Sequence, residues 1–495
     1  MAWGTIDRVA SLLIPFICRT AIIQIFGINY LGLNSLFTSI LSTLNLAELG
    51  FGSAVVFFMY RTIAEEDVTK TNALLNFIKT VFRIVGTVVL VAGLLLLPFL
   101  KYLIKADIPA EINIYTIYLL TLASTVLSYY LLSYKTSIFR AHQRTDIIFK
   151  ISTIVTVTEK ILQLVFIFIC KNYYLYIAAT LIACFINNTL VYIASRRQYP
   201  QYTASGKLPK AEQKELFAKV RGLFMYKIGN VVSSSADSIV ISAFLGLSIM
   251  GKYGNYYYVI TTLMGFLGVY YNSIRAGIGN SIVTDSLDKN YRDFKTFQLL
   301  QNWLVSWCAI CLFCLLQNFI TLYAGKDNLL PFGYTVCLCL YFWIWKIQDI
   351  VYTFKEASGL WSQDRYRPLI GAGVNLCLNV ILVQFIGLYG VILSTVLASL
   401  IIDLPWAPRV LFKEYFGFSP KGYYKMLLVG FVQMLIMLLP TYLLCRLICL
   451  ESVFLQLCIK AVICLVIPNT LFIAMNFRKA EFGSIMRKIK GILKI

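Results

Sequence analysis

The sequence predicts an all-α polytopic membrane protein with about fourteen transmembrane helices. Of its 495 residues, 59% are hydrophobic and only 14% are charged, and the mean hydropathy is +0.75. A soluble protein of this length needs more polar surface than that to stay in solution. Apolar runs of about 17–25 residues, long enough for a helix to cross about 30 Å of hydrocarbon, recur from end to end. The alternating ten-residue segments typical of a membrane β-barrel are absent from the sequence.

Fourteen segments have the length and composition of membrane spans. They are residues 9–28, 34–60, 81–100, 114–134, 151–170, 174–195, 226–246, 252–275, 297–322, 334–354, 369–386, 388–406, 426–445 and 454–475. The first segment lacks a small-residue cleavage site after a short apolar core. We therefore predict a retained span there and not a signal peptide.

The distribution of Lys and Arg predicts the orientation. With the N-terminus in the cytoplasm, most of the 44 basic residues fall in cytoplasmic segments and few fall in outer loops, which is the positive-inside bias. Both termini are therefore predicted to be cytoplasmic. The net charge of +21 follows from this bias, which faces anionic lipid, and it implies no nucleic-acid partner.

The longest interior connection predicts the division into lobes. Residues 196–221 contain two prolines, a glycine and a predicted short amphipathic helix at Lys210–Val220. The basic tail has apolar residues at helical spacing, which favours a helix on the inner membrane surface, with a solvated disordered tail as the alternative. The predicted parts are a six-helix lobe at 1–195, the cytoplasmic linker at 196–221, a second six-helix lobe at 222–407, spans 13 and 14 at 408–475, and the tail at 476–495.

The two lobes carry a faint internal repeat. A Gly-x4-Gly pattern begins at Gly27 after the first span and at Gly246 after the seventh. Six spans separate the copies, so they run in the same direction, and this predicts a pseudo-twofold axis along the membrane normal. A shift of 219 residues superposes the copies and places Arg19 one position from Asp237. We therefore expect these two residues at similar depth in opposite lobes.

Glu48 places a carboxylate in the middle of the apolar run "NLAELGFGSAVVFF". A charged group at the bilayer centre costs about 2.5–3.5 kcal/mol by insertion scales and is usually paired or faces a wet cavity. Arg19 in the preceding span is a candidate partner. One interpretation is a buried clamp between Arg19 and Glu48 that only holds two helices in register. The favoured interpretation is that both line a central cavity.

Further charged and polar residues are predicted to face the same cavity. Its basic side chains would bind a phosphate-bearing anion, because Arg makes bidentate hydrogen bonds to phosphate, and its carboxylates would carry a proton or cation. The basic candidates are Arg8, Arg19, Lys227 and Arg275, the acidic candidates are Glu48 and Asp237, and the polar candidates are Asn45, Asn230 and Ser234. Snorkelling to the interface is the alternative for Lys227 and Arg275. Glu159–Lys160 and Lys346–Asp349 are interpreted as local pairs or as capping groups near helix ends.

The sequence predicts neither a catalytic residue nor a metal or cofactor site. His142 is the only histidine, which argues against a His-based metal site or a catalytic triad. The run "CAICLFC" from Cys308 to Cys314 would spread its sulfurs along one helix and could not surround a cluster. Cysteines in spans behave as small hydrophobes.

Several segments, taken in order, resemble the bacterial Wzx-type polysaccharide or O-antigen flippases. This oligosaccharide flippase family belongs to the multidrug/oligosaccharidyl-lipid/polysaccharide (MOP) exporter superfamily. The segments are "YLGLNSLFTSILSTLNLAELGFGSAVVFFMYRTIAEED" (30–67), "SADSIVISAFLGLSIMGKYGNYY" (235–257), "GIGNSIVTDSLDKNYRDF" (277–294) and "EASGLWSQDRYRPLIGAGVNLCLNVILVQFIGLYGVILSTVLA" (356–398). Within the last one, "SQDRYRP" is expected to tie a cytoplasmic loop to helix ends through Asp364, Arg365 and Arg367.

The resemblance implies two six-helix lobes around a cavity that opens alternately to each side of the inner membrane. It implies a substrate, a polyprenyl-diphosphate-linked oligosaccharide for surface polysaccharide such as lipopolysaccharide, and a role for Arg19 in holding the diphosphate. Spans 13 and 14 would supply a groove for the lipid tail. Membrane lipids, polymerases and glycosyltransferases are the implied partners, and a monomer is expected.

Two other functions remain open at the level of the sequence. A cation-coupled multidrug exporter of the same superfamily would have a cavity dominated by carboxylates and aromatics, whereas basic groups predominate here. A membrane polymerase or glycosyltransferase would need a large outer loop or a nucleotide-sugar domain. The predicted outer loops are short, so we expect a transporter and not an enzyme.

Overall fold

Helices make up most of the chain in the computed structural model, which describes residues 2–44, 51–105, 108–131 and 133–493. No strand occurs in these ranges. Among the described residues, eight helices are long and apolar enough to cross a membrane, and four shorter apolar helices accompany them. Within the described ranges, most residues of each of the fourteen predicted spans are helical. The all-α, multi-span prediction is therefore confirmed.

The first of two compact units comprises Met1–Gly254. Its core joins α2, α4, α5 and α8 through buried side chains such as Phe37, whose ring meets Tyr118 edge to face at 5.3 Å. Its helices are α1 (Ala2–Ile25), α2 (Ile28–Leu44), α3 (Phe51–Ala64), α4 (Val68–Leu96), α5 (Ile114–Tyr130), α6 (Thr136–Ala141), α7 (Thr145–Phe168), α8 (Tyr173–Gln198), α9 (Lys210–Leu245) and the start of α10 (Leu247–Thr284).

The second unit comprises Asn255–Ile495. The helix α11 runs through it and contacts α12, α17, α18 and α19. Its helices are the rest of α10, then α11 (Leu287–Ala324), α12 (Phe332–Lys346), α13 (Asp349–Ala357), α14 (Arg367–Ile386), α15 (Leu388–Ala398), α16 (Leu404–Leu411), α17 (Lys421–Leu447), α18 (Val453–Asn476) and α19 (Ala480–Leu493). The lobe and linker boundaries predicted from the sequence stay a prediction.

Short polar caps begin three of the spans at the predicted outer side. Asn113 accepts from the backbone N–H of Tyr115 at 2.9 Å, and Asn172 accepts from that of Tyr174 at 2.9 Å. Ser452 caps α18 in the same way. A cap satisfies backbone donors that a helix start leaves open, which matters where lipid offers no alternative partner.

Two helices differ from their sequence predictions. The predicted amphipathic helix at Lys210–Val220 is not separate, because α9 continues without a break into the seventh span. The tail does form a helix, but its apolar residues Phe482 and Ile485 are buried against α11 and α18. At these two positions the apolar face is covered by the protein itself and not by the membrane surface.

Candidate functional site

Arg19 lies on α1, half-buried, where α1 meets α2 and the start of α10. Its Nη2 is 3.4 Å from the point where a Cβ would stand on Gly254, and the Ser35 hydroxyl oxygen is 3.1 Å from that same point. Glycine at 254 therefore leaves room for the guanidinium. Tyr176 on α8 lies within electrostatic range of Arg19. The structure thus places this predicted residue among polar groups contributed by several helices.

A polar network on α7 and α8 lies beside α1. Lys160 donates to Glu159 at 2.9 Å and to Gln163 at 3.0 Å, and Gln163 in turn donates to Glu159 at 3.1 Å. The Thr180 hydroxyl of α8 donates to Glu159 at 3.5 Å. The thiol of Cys18, adjacent to Arg19 in the chain, contacts the carbonyl of Lys160 at 3.9 Å. The predicted Glu159–Lys160 pair is confirmed, and it belongs to a larger network.

The polar side of the seventh span is described in part. Asp237 on α9 is only 7% exposed, and the nearby Ser235 hydroxyl lies 2.8 Å from that of Ser42 on α2. Asp237 and Arg19 fall in the same compact unit. The expectation that they belong to opposite lobes depends on the predicted lobe boundaries and stays a prediction.

The remaining predicted residues of this site are outside what the structure describes. Asn45 and Glu48 fall in the gap between the first two described ranges, so the Arg19–Glu48 clamp and its alternative both stay predictions. For the other candidates only the helical backbone is described, and not the side chains: Arg8 on α1, and Lys227, Asn230 and Ser234 on α9.

Arg275 has a partner that sequence reasoning missed. Its Nη2 lies 2.8 Å from Oε2 of Glu356, which joins α10 to α13. The Arg275 side chain is 48% exposed, whereas that of Glu356 is 13% exposed. The ion pair gives this arginine a partner, and the snorkelling alternative stays a prediction. No spacing rule links residues so far apart in the chain, so the pair had no sequence signal.

The second unit also contains a polar network around Lys346. Lys346 forms an ion pair with Asp349, as predicted, and its ammonium lies 5.2 Å from the ring centre of Tyr271. The Tyr271 hydroxyl donates to Gln301 at 2.6 Å, and Gln301 donates to the backbone carbonyl of Lys346. Groups from α10, α11, α12 and α13 therefore meet in one buried network.

The "SQDRYRP" loop is held by buried charges. Asp364 is fully buried and accepts from Lys355 and from Nε of Arg367, the latter at 2.9 Å to Oδ1 and 3.1 Å to Oδ2. Arg367 also donates to Asp403. The predicted role of Asp364 and Arg367 in tying loop to helix is confirmed. That of Arg365 is wrong, because its side chain is exposed and lies on the Tyr366 ring at 4.6 Å.

Three buried cysteines converge in the second unit. The sulfurs of Cys314, Cys445 and Cys464, from α11, α17 and α18, all lie within 4.8 Å of one another. Cys445 and Cys464 are 4.0 Å apart. Thiols at such separations could hold a soft metal ion, although they also pack as small apolar groups. Reasoning from the "CAICLFC" run alone could not foresee the two cysteines from other helices. The prediction of no metal site stays a prediction.

The fold is that of MOP-superfamily transporters. The lipid II flippase MurJ in an inward closed conformation matches with a TM-score of 0.68 at 16% identity, over 96% of this chain and 98% of that one. An inward-facing MATE-family multidrug resistance transporter matches with a TM-score of 0.62 at 12% identity, over 82% and 94%. A MOP-superfamily transporter from Pyrococcus furiosus matches with a TM-score of 0.55 at 12% identity, over 83% and 95%. The predicted fold is thereby confirmed.

The family follows from the sequence itself. Residues 2–274 match the family described as polysaccharide biosynthesis protein. The match spans more than half of the 495 residues, and the chain belongs to this family. No curated protein matches the chain significantly.

Proposed function

We propose that the protein is a flippase that moves a polyprenyl-diphosphate-linked oligosaccharide from the cytoplasmic to the outer leaflet of the bacterial inner membrane. Transfer would proceed by alternating access, and a surface polysaccharide such as O-antigen would be the end product. One observation carries the proposal: the match to the lipid II flippase covers nearly all of both chains. Membership in the polysaccharide biosynthesis family supports a glycan as the cargo.

The extent of the matches favours this function over multidrug export. The MATE-family match leaves 18% of this chain uncovered, about 89 residues, whereas the flippase match leaves 4% uncovered. The part that the MATE-family match leaves uncovered is about as long as segment 408–495, which holds α17, α18 and the tail. A lipid-linked substrate needs a surface for its polyprenyl chain, and two additional spans can provide one.

Arg19 is the residue that we propose to hold the diphosphate. Its guanidinium can bind phosphate oxygens through two parallel hydrogen bonds, which a lysine cannot reproduce. The Ser35 hydroxyl near the same point supplies a further donor. Arg8, Lys227 and Arg275 are proposed as additional basic contacts.

Reconstitution tests the proposal. The full chain is placed in proteoliposomes with a fluorescent polyprenyl-diphosphate oligosaccharide, and transfer is followed with a quencher that does not cross the membrane. We expect Arg19→Ala to abolish transfer and Arg19→Lys to restore little of it. The matched control is Arg61→Ala, which removes a well-exposed arginine paired with Glu65 in the same unit. Equal rates for Arg19→Ala and Arg61→Ala would contradict the role of Arg19.

A second pair of measurements separates the alternatives. Transport of a fluorescent organic cation, with no movement of the lipid-linked sugar, would favour the multidrug exporter. Growth of the glycan chain in the same vesicles would favour a polymerase. We propose Glu48 as the coupling group, so Glu48→Gln is expected to remove the response of the transfer rate to an imposed pH gradient.

A further inference from the structure

A cavity of about 330 Å³ opens in the second unit between α11, α17 and the start of α19. It lies at the ends of these helices that the Lys and Arg distribution predicts to be cytoplasmic. Pockets of 300–1,000 Å³ are the usual size for small ligands. The described residues that line it include none of those proposed for translocation.

The rim of the cavity is basic. Lys295, Lys425 and Lys479 line it together with one acid, Glu481, which lies 3.4 Å from Lys295. These four side chains leave two positive charges in excess. Burial lowers the pKa of Lys479, an effect that Glu481 only partly offsets. An anion bound at this rim would compensate the excess positive charge.

The floor of the cavity is polar and the wall is apolar. Gln298 is 3% exposed, and its Oε1 has no hydrogen-bond partner among the described residues. Asn302 beside it donates to Gln433 at 3.2 Å. Met426 and Val429 of α17 form the apolar wall, and Val429 is exposed on the outside of the protein. A ligand that fits all three surfaces carries a phosphate, a hydroxyl and a hydrocarbon chain.

We propose that this cavity binds the headgroup of an anionic phospholipid from the cytoplasmic leaflet. Basic pockets between transmembrane helices on this side of a membrane bind such headgroups. The phosphate lies between Lys425 and Lys479, a headgroup hydroxyl donates to Gln298, and an acyl chain follows α17. The bound lipid fastens α19 to α11 and α17. The inference requires only that the chain spans a membrane, and so it is independent of the flippase proposal.

Thermal unfolding of the detergent-purified full chain, titrated with lipid, tests the site. We expect phosphatidylglycerol to raise the Tm saturably, and phosphatidylcholine or inorganic phosphate to leave it unchanged. Lys425→Gln and Lys479→Gln are each expected to lower the apparent affinity for phosphatidylglycerol about fivefold. Lys421→Gln is the matched control, because it removes an exposed lysine one turn earlier on α17 that does not line the cavity.

A second variant blocks the cavity without changing charge. Gly422 lines it, and a Cβ there would meet only the Tyr291 hydroxyl, at 3.5 Å. Gly422→Leu is therefore expected to fold and to lose the phosphatidylglycerol response. Equal weakening by Lys421→Gln and Lys425→Gln would overturn the proposal, because it would show unspecific surface attraction. Protection by inorganic phosphate alone, or stronger cavity-dependent protection by a polyprenyl phosphate, would also overturn it.

Discussion

Gly32 and Gly251 occupy equivalent positions in two reciprocal contacts between α2 and α10. A Cβ on Gly32 would stand 2.1 Å from the carbonyl oxygen of Leu247, and a Cβ on Gly251 would stand 2.4 Å from that of Ile28. The shift of 219 residues that takes Gly32 onto Gly251 also takes Ile28 onto Leu247. The contact between α2 and α10 is therefore reciprocal, as a twofold relation between the two sequence repeats requires.

This contact predicts a stability effect. Gly32→Ala and Gly251→Ala must each push a helix backbone aside, and we expect each to lower the free energy of unfolding by about 1–3 kcal/mol. Chemical unfolding in detergent measures the change. Gly268→Ala on α10 is the control, because a Cβ there meets nothing within 4 Å, and it is expected to be neutral or stabilising. Unchanged stability of both contact variants would contradict the close approach.

Arg275 is either a substrate contact or only the structural partner of Glu356, and these two roles predict different outcomes. Because the arginine is half exposed, the ion pair should stabilise the fold by about 1 kcal/mol at most. If Arg275 binds substrate, Arg275→Ala loses transfer and the charge-swapped double variant R275E/E356R does not recover it. Recovery of transfer by the swap in the proteoliposome assay would instead assign Arg275 a purely structural role.

Asp364 is expected to be among the most sensitive positions for folding. Asp364→Asn removes the carboxylate that faces both Lys355 and Arg367, which leaves buried positive charge uncompensated. Breaking a buried pair in this way costs about 3–5 kcal/mol. The yield of folded protein and its Tm measure the effect. The adjacent variant Arg365→Ala serves as control and should change stability by about 0.5 kcal/mol or less, because that side chain is exposed.

His142 predicts a dependence of stability on pH. Its ring stacks on Tyr199 at 4.3 Å, and its Nε2 is buried without a hydrogen-bond partner among the described residues. Burial lowers the pKa of His142 below its ordinary value of about 6.5. The unfolded chain therefore binds a proton more readily than the folded protein does. Its contribution to stability is complete above about pH 6.5 and declines as the pH falls below that value.

The test of this role is to measure Tm as a function of pH for the wild type and for His142→Phe and to compare the slopes. The phenylalanine keeps a stacking ring but cannot be protonated, so its slope between about pH 7 and pH 5 should be shallower. His142→Gln, which is polar but does not titrate in this range, should share the shallower slope. Identical slopes in all three proteins would rule out the histidine as the source.

The sequence was sufficient for the fold class because lipid imposes strict rules on helix length and polarity. It also located the glycine repeat and the partly buried ion pairs that are close in the chain, such as Glu159–Lys160. Those pairs follow from local spacing, which a single sequence displays directly. The continuity of α9 was missed because its first half is polar and its second half apolar, so its two halves resemble two separate elements.

Contacts between distant segments could not be predicted. The Arg275–Glu356 pair and the meeting of Cys314 with Cys445 and Cys464 depend on how helices far apart in the chain pack. Likewise, amphipathic spacing in the tail predicted a helix but could not show that Phe482 packs on the protein. An apolar face is explained equally well by a membrane surface or by a neighbouring helix.

The uninterrupted α9 has a mechanical consequence. Its 36 residues make a rod about 54 Å long, of which about 30 Å suffices to cross the hydrocarbon. The remaining length is joined to the start of α4 by Lys70 and Glu212 at 2.9 Å, and to α3 by the rings of Phe217 and Phe51 at 5.7 Å. We therefore expect a displacement of α9 in the membrane to be transmitted through these two contacts to α3 and α4. The unbroken helix makes the position of its Lys210 end depend on the tilt of its membrane-embedded half.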